Sequence, residues 1–117
     1  NSLAASRAYY WLAEQDAQLA KDFAKRIFHR LWVDGEDITD VDAVIAEAAA
    51  VGVEGDALRA GLKQDRTKAL LRDAVDRAIA RKVFGAPFFI VDDEPIWGLD
   101  RLWMLEHWLV HASWDPV

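Results

Sequence analysis

Apolar residues recur along most of this chain with the period of a helix. Ala4, Ala8, Trp11 and Leu12 form one stripe over residues 3–14, with Asn1 or Ser2 placed to cap it. Asp16 opens a more strongly amphipathic segment. There Leu19, Phe23, Ile27 and Leu31 fall every fourth residue, flanked by Ala20, Ala24 and Phe28, with an expected end near Asp34-Gly35. Thr39 with Asp42 reads as a capping box using Asp for Glu, ahead of an Ala-rich helix stopped at Gly52. Gly55 and Asp56 start a short helix carrying Leu58 and Leu62. The spacing then predicts a helix over 65–81 with Leu71, Val75, Ala78 and Ile79 inward, its end carrying Arg77, Arg81 and Lys82 to suit the negative pole.

The period changes after Lys82. Phe88 to Val91 is a strand, Asp92-Asp93 a turn, and Glu94 to Trp97 the returning strand, with Pro95 suited to an edge. A last helix begins at Asp100 and sets Leu102, Leu105 and Leu109 on one face beside Trp108; the residues after it read as a tail. Pro87 is the unusual residue here. It cannot donate to a sheet ladder, so it belongs at a strand's first residue, an edge or a bulge. Either an ordinary trans Pro opens the strand, or a cis Ala86-Pro87 bond leaves Ala86 main-chain groups that the sheet does not use.

The run from Val83 to Leu109, with its Val83-Phe84-Gly85-Ala86-Pro87-Phe88-Phe89 strand and Trp97-Gly98-Leu99-Asp100-Arg101-Leu102 turn, resembles the 2-hydroxychromene-2-carboxylate isomerase family. These enzymes are glutathione-dependent relatives of kappa-class glutathione transferases within the DsbA-like thioredoxin group. Asn1-Ser2-Leu3 and Leu31-Trp32-Val33-Asp34-Gly35-Glu36-Asp37-Ile38 are similar to its sequences as well. The resemblance implies a mainly α fold with a small β-hairpin. A helical insertion domain would occupy residues 1–81, the C-terminal ββα part of a thioredoxin-like domain 82–112, and a tail 113–117. The βαβ part of the thioredoxin unit would precede Asn1, consistent with the marginal stability of an isolated hairpin.

Composition narrows the partners. A chain of 117 residues with 53% apolar content can bury one real core. A net charge of −6, with the 14 Lys and Arg interleaved among acids, opposes a nucleic-acid face and a polybasic membrane patch. With no spanning run and no leader pattern, the expectation is a soluble, cytoplasmic protein. The absence of Cys excludes disulfides, a CxxC pair and thiolate metal sites within the segment. Six Trp residues imply an aromatic-rich core or packing against material outside the segment, and the resemblance implies a homodimer, with which that content is compatible.

Candidate chemistry centres on the last turn. Asp100 at a helix start is a cap by default, but open amides and a carboxylate there suit the γ-glutamyl end of glutathione. The resemblance carries cofactor contact over to Ala86 and Pro87, Leu99 and Asp100. Leu99, Phe88 and Lys82 depart from the small or polar residue, the hydroxyl residue and the Gly that the resemblance implies at those places, and the first two imply a more apolar pocket or another cofactor. Arg101 is assigned first to bracing Asp92, Asp93 or Glu94. Tyr10 and Trp11 are candidates for a small aromatic substrate's pocket, core packing explaining Trp11 equally well. No metal site is expected. The acidic loop 34–42 lacks EF-hand spacing, and His29, His107 and His111 form no ligand set. Ser2 reads as a cap, and the Ser that poises the thiol in this family is expected upstream of Asn1. Two other readings stay open: a DsbA-like disulfide oxidoreductase with an upstream CxxC, and a non-catalytic helical interaction module.

Overall fold

The computed structural model describes residues 1–115 and resolves two compact units, Asn1–Val75 and Asp76–Val117. The first is helical. Helices α1 (Leu3–Gln15) and α2 (Ala17–Trp32) form an antiparallel pair on which α3 (Val41–Ala49) and α4 (Gly55–Gly61) pack, before α5 (Asp65–Ala80) begins. Asp16 both ends α1 and starts α2, its carboxylate accepting from the Gln18 and Leu19 amides at 3.0 and 3.1 Å. Two amides without a helical partner are thereby satisfied where the chain reverses. Asn1 does the same for α1, accepting from the Leu3 amide at 2.9 Å, while Ser2 makes no side-chain cap bond.

The core joins Ala8 and Leu12 of α1, Ala20, Phe23 and Ile27 of α2, Val44 of α3 and Leu58 of α4, each almost fully buried. Small residues at Ala8 and Ala20, both with no exposure, let the first two helices approach closely. Trp11 completes the packing from the side, its indole lying over Gly61. A Cβ on Gly61 would collide with that ring (2.8 Å from Trp11 Cδ1), so the bulk of Trp11 requires a glycine beneath it.

Several boundaries differ from the sequence expectation for local reasons. Helix α2 ends at Trp32, before Asp34-Gly35, and Gly35 at φ +68 turns the chain away. The cap of α3 is Asp40, accepting from the Ala43 amide at 3.3 Å, because Thr39 is held by Asp37 instead. Glu54 caps α4 by accepting from the Asp56 and Ala57 amides at 3.1 and 2.7 Å. Along α5 the expected inward stripe is only partly covered. Leu71 and Ala78 are half-buried, but Val75 is 48% and Ile79 68% exposed, since no element among the described residues lies over them.

The second unit holds strands β1 (Phe88–Val91) and β2 (Glu94–Trp97), antiparallel with Phe88 opposite Trp97 and Val91 opposite Glu94. Asp92 and Asp93 take φ of +48° and +65°, the left-handed pair that lets a two-residue turn follow the strands' twist. A short 3₁₀ turn (Leu99–Arg101) leads into α6 (Leu102–His111), which starts two residues later than the periodicity suggested. Leu102 and Leu109 on the expected inner face of α6 are exposed, and no residue of this helix is fully buried. Ser113 to Asp115 is not a free tail, because Trp114 packs on Trp108 at 4.7 Å and stacks near His107 at 6.3 Å. Pro116 and Val117, also assigned to the tail, lie outside the described residues.

The loop 34–42 uses each of its carboxylates structurally. Asp34 meets His29 at 3.2 Å, Glu36 meets Arg30 at 3.0 Å, and Asp42 binds Arg59. Asp37 accepts from the Thr39 amide at 2.8 Å and hydroxyl at 2.7 Å, which holds its carboxyl below the usual carboxylate range. A lowered folded-state value means that this contribution to stability is present above the ordinary Asp range and lost as pH falls through the lowered one. We expect the Asp37 side-chain carbon, followed by NMR, to titrate below the ordinary aspartate value. Thr39→Val should move its midpoint partway back upward, the backbone amide still donating.

Candidate functional site

The turn from α5 into β1 begins with a helix stop. The Val83 amide donates to the Ala78 carbonyl and the Lys82 amide to the Ile79 carbonyl, both at 2.9 Å. Lys82 adopts φ +58°. This is a Schellman stop, in which the residue after the cap takes the left-handed conformation that glycine adopts most readily. The resemblance implies a Gly at this place, and the left-handed backbone of Lys82 is the geometry a Gly would serve.

Val83 to Pro87 then lies against the end of β2. The Phe84 ring meets Trp97 edge-on at 5.1 Å and Phe88 at 5.3 Å, leaving Phe84 itself exposed. Gly85 sits under the Trp97 indole, where an added Cβ would press on the pyrrole edge, with Cδ1 and Cε2 at 3.0 and 3.1 Å. One bond fixes the two segments together: the Gly98 amide donates to the Pro87 carbonyl at 3.0 Å. The Ala86-Pro87 peptide is cis. Among the described residues the Ala86 amide and carbonyl enter no hydrogen bond.

Gly98 has φ +97°, and the Asp100 carboxylate folds back over it into the space a Cβ would take. Asp100 does not cap the helix as the default reading had it. Neither the 3₁₀ turn nor α6 has a side-chain cap, and Asp100 makes no hydrogen bond or ion pair among the described residues. Leu99 is 68% exposed. Arg101 does brace the hairpin, though through Trp97 and not through the acids. Its Nη1 donates to the Trp97 carbonyl at 3.0 Å, with the guanidinium 5.7 Å from the indole centroid. Two of the three hairpin acids have other partners: Arg81 pairs with Asp93 at 3.1 Å, and Trp108 Nε1 donates to Asp92 at 2.9 Å. The structure thus brings Ala86, Pro87, Leu99 and Asp100 around one turn. They present a free main-chain pair, a free carboxylate, the Leu99 and Asp100 amides, which have no partner among the described residues, and an exposed apolar side chain.

Tyr10 lies elsewhere, in the helical unit, lining a groove of about 680 Å³ with Tyr9, Phe28, Leu31 and Trp32. Trp11 is not on that groove but over Gly61. Phe28 and Trp32, read from the sequence only as flanking or unassigned residues, form much of its wall. Their signal was present in the sequence, as two large apolar side chains one turn apart outside the α2 core stripe.

Comparison with known proteins agrees with this architecture. Residues 1–110 match the family model described as a DSBA-like thioredoxin domain, and the chain belongs to that family. It is similar to proteins named 2-hydroxychromene-2-carboxylate isomerase from three sources. Identity is 37% over 91 residues with that of Sphingobium xenophagum, covering 78% of this chain and 47% of the relative. It is 34% over 83 residues with that of Pseudomonas sp. (strain C18), covering 69% and 38%. For Pseudomonas putida it is 31% over 99 residues, covering 83% and 47%. The chain spans about half the length of the curated relatives it matches or less.

Two substitutions with opposite expected signs check the turn. Lys82→Gly should raise stability by about 1 kcal/mol, since it relieves a left-handed backbone that costs a side-chain-bearing residue about that much. Gly85→Ala should lower it by roughly 1–3 kcal/mol, because Trp97 must leave its seat. Urea denaturation followed by tryptophan fluorescence measures both.

Proposed function

We propose that this chain is part of a glutathione-dependent isomerase acting on aromatic-degradation intermediates of the 2-hydroxychromene-2-carboxylate type. The observation that carries the reading is its 31–37% identity to three proteins bearing that name, over 69–83% of its length. The site residues fit the cofactor. Ala86 offers an unengaged amide and carbonyl, the complement of a peptide main chain. Asp100 offers an unpaired carboxylate for an ammonium, and the Leu99 and Asp100 amides that open the 3₁₀ turn, without a partner among the described residues, suit a carboxylate.

In this proposal Ala86 and Asp100 hold the two ends of the tripeptide. Pro87, fixed by its carbonyl to Gly98, sets the direction of the Ala86 groups. Leu99 contributes apolar contact in place of a side-chain hydrogen bond. When bound, glutathione would supply the thiol nucleophile that this chain, having no Cys, does not. The residue that poises the thiol is assigned to none of these 117 positions. The aromatic groove at Tyr10 is a fitting surface for the flat substrate: apolar walls with a few polar groups are the usual make-up of such pockets. Core packing, not substrate contact, is the role proposed for Trp11.

Isothermal titration of the full protein with glutathione tests the cradle. We expect saturable binding, weakened at least about tenfold in Asp100→Asn, because a hydrogen bond to a charged group contributes about 1.5–3 kcal/mol. Turnover of 2-hydroxychromene-2-carboxylate, followed by its ultraviolet spectrum with and without glutathione, tests the activity. Absence of glutathione binding in the intact protein would sink the cofactor assignment. Glutathione-independent turnover would leave the isomerase reading standing without it.

A further inference from the structure

A second concavity in the helical unit has the chemistry of an anion site. It measures about 390 Å³ and is lined by Arg7 of α1, Arg59 of α4 and Lys63 just beyond α4. Leu3, Ala4, Val41 and Leu62 supply apolar wall. Three cations and no carboxylate line it, in a chain whose acids outnumber its bases 20 to 14.

The state of Arg7 sets this pocket apart. Arg26, Arg30, Arg59 and Arg66 each hold a carboxylate of their own unit, Glu47, Glu47, Asp42 and Glu14 respectively. Arg7 pairs with nothing among the described residues, and its Nε is shielded from solvent with no hydrogen-bond partner. A half-buried guanidinium with an unsatisfied donor is destabilising unless something completes it. Lys63 is exposed and has no ion pair among the described residues either. Arg59 is already neutralised by Asp42, so Arg7 and Lys63 are the two cations free to meet a ligand.

We propose that this pocket binds a small organic oxyanion. The headgroup is taken by the Arg7 guanidinium with help from Lys63, and the ligand body rests on Leu3, Ala4, Val41 and Leu62. A planar guanidinium offers paired donors that match a carboxylate or phosphoryl group. The volume lies at the small end of ligand pockets, which selects a compact molecule over a chain or a polymer. The inference is argued from Arg7 and its neighbours alone, and its test is independent of the function proposed above.

Isothermal titration of the full protein at low salt with benzoate, phenyl phosphate and inorganic phosphate tests the assignment. Saturable binding of benzoate or of phenyl phosphate is expected, and which of the two binds identifies the headgroup. Arg7→Gln should weaken it at least about tenfold, as loss of a charge-assisted bond does. Lys63→Gln should weaken it several-fold, and added KCl should weaken it further. Arg72→Gln, at an exposed arginine outside the pocket, should leave it unchanged. Lys63 is exposed, so its variant keeps a folded readout should Arg7→Gln fail to fold. No saturable heat from any probe up to roughly 10 mM, a free energy of only a few kcal/mol, overturns the proposal. So does inorganic phosphate binding alone, or unchanged affinity in the variants.

Discussion

The seating of Trp97 on Gly85 is the contact on which the C-terminal unit depends. The indole occupies the volume any larger residue at 85 would need, and the Phe84 ring closes on it edge-first. Arg101 then clasps the same tryptophan by its carbonyl and its face. Since the Gly98 amide is tied to the Pro87 carbonyl, the beginning of one strand and the end of its partner move as one body. A sheet of two four-residue strands is marginal by itself. Here the aromatic cluster and the left-handed Asp92-Asp93 turn supply what the ladder lacks.

The helical unit is stabilised by a different division of labour. Its interior is closed by small residues where α1 meets α2 and by Trp11 over Gly61. Its exterior is organised by carboxylates, and the same residue type performs two tasks. Asp16, Asp40 and Glu54 cap helices, whereas Glu14, Asp42 and Glu47 hold arginines from other helices. Exposed ion pairs contribute little individually. Their more secure consequence is negative: they hold four of the six arginines of this unit, which leaves exposed Arg72 and half-buried Arg7 without a carboxylate among the described residues.

Elements governed by local physics were legible from the sequence. Strand limits at 88–91 and 94–97 follow from a short apolar run and its partner either side of the Asp92-Asp93 turn, and the Asp16 cap follows from an acid between two apolar periods. What periodicity could not supply was competition between neighbours. Thr39 satisfied a capping-box pattern, but Asp37 two residues earlier takes its hydroxyl, and Asp40 caps instead. Nor does an apolar stripe say what covers it. Val75, Ile79, Leu102 and Leu109 have the spacing of a core and remain exposed among the described residues. Of the candidate site, the unusual place of Pro87 and the resemblance at Asp100 pointed to this turn. The sequence could not show that Arg101 would choose Trp97 over the nearby acids, because that choice depends on where a carbonyl points.

This distinction bears on which residues constrain a cradle of the proposed kind. Ala86 would act through its amide and carbonyl, and Leu99 through shape, so neither side chain need be specified chemically. Specification falls instead on residues that never meet the ligand. Gly85 must admit the indole, Gly98 must adopt φ +97° with the Asp100 carboxylate folded across it, and Pro87 must present its carbonyl to Gly98. The departures at Leu99 and Phe88 therefore leave the main-chain scaffold intact while making its surroundings more apolar. Lys82 adopts the backbone of a glycine with a side chain attached, which is a cost in stability. A site of this construction tolerates change at its contact residues and resists it one layer behind them. Its signature in a sequence is accordingly a spacing of glycines, proline and tryptophan, with Asp100 alone recognisable by its own chemistry.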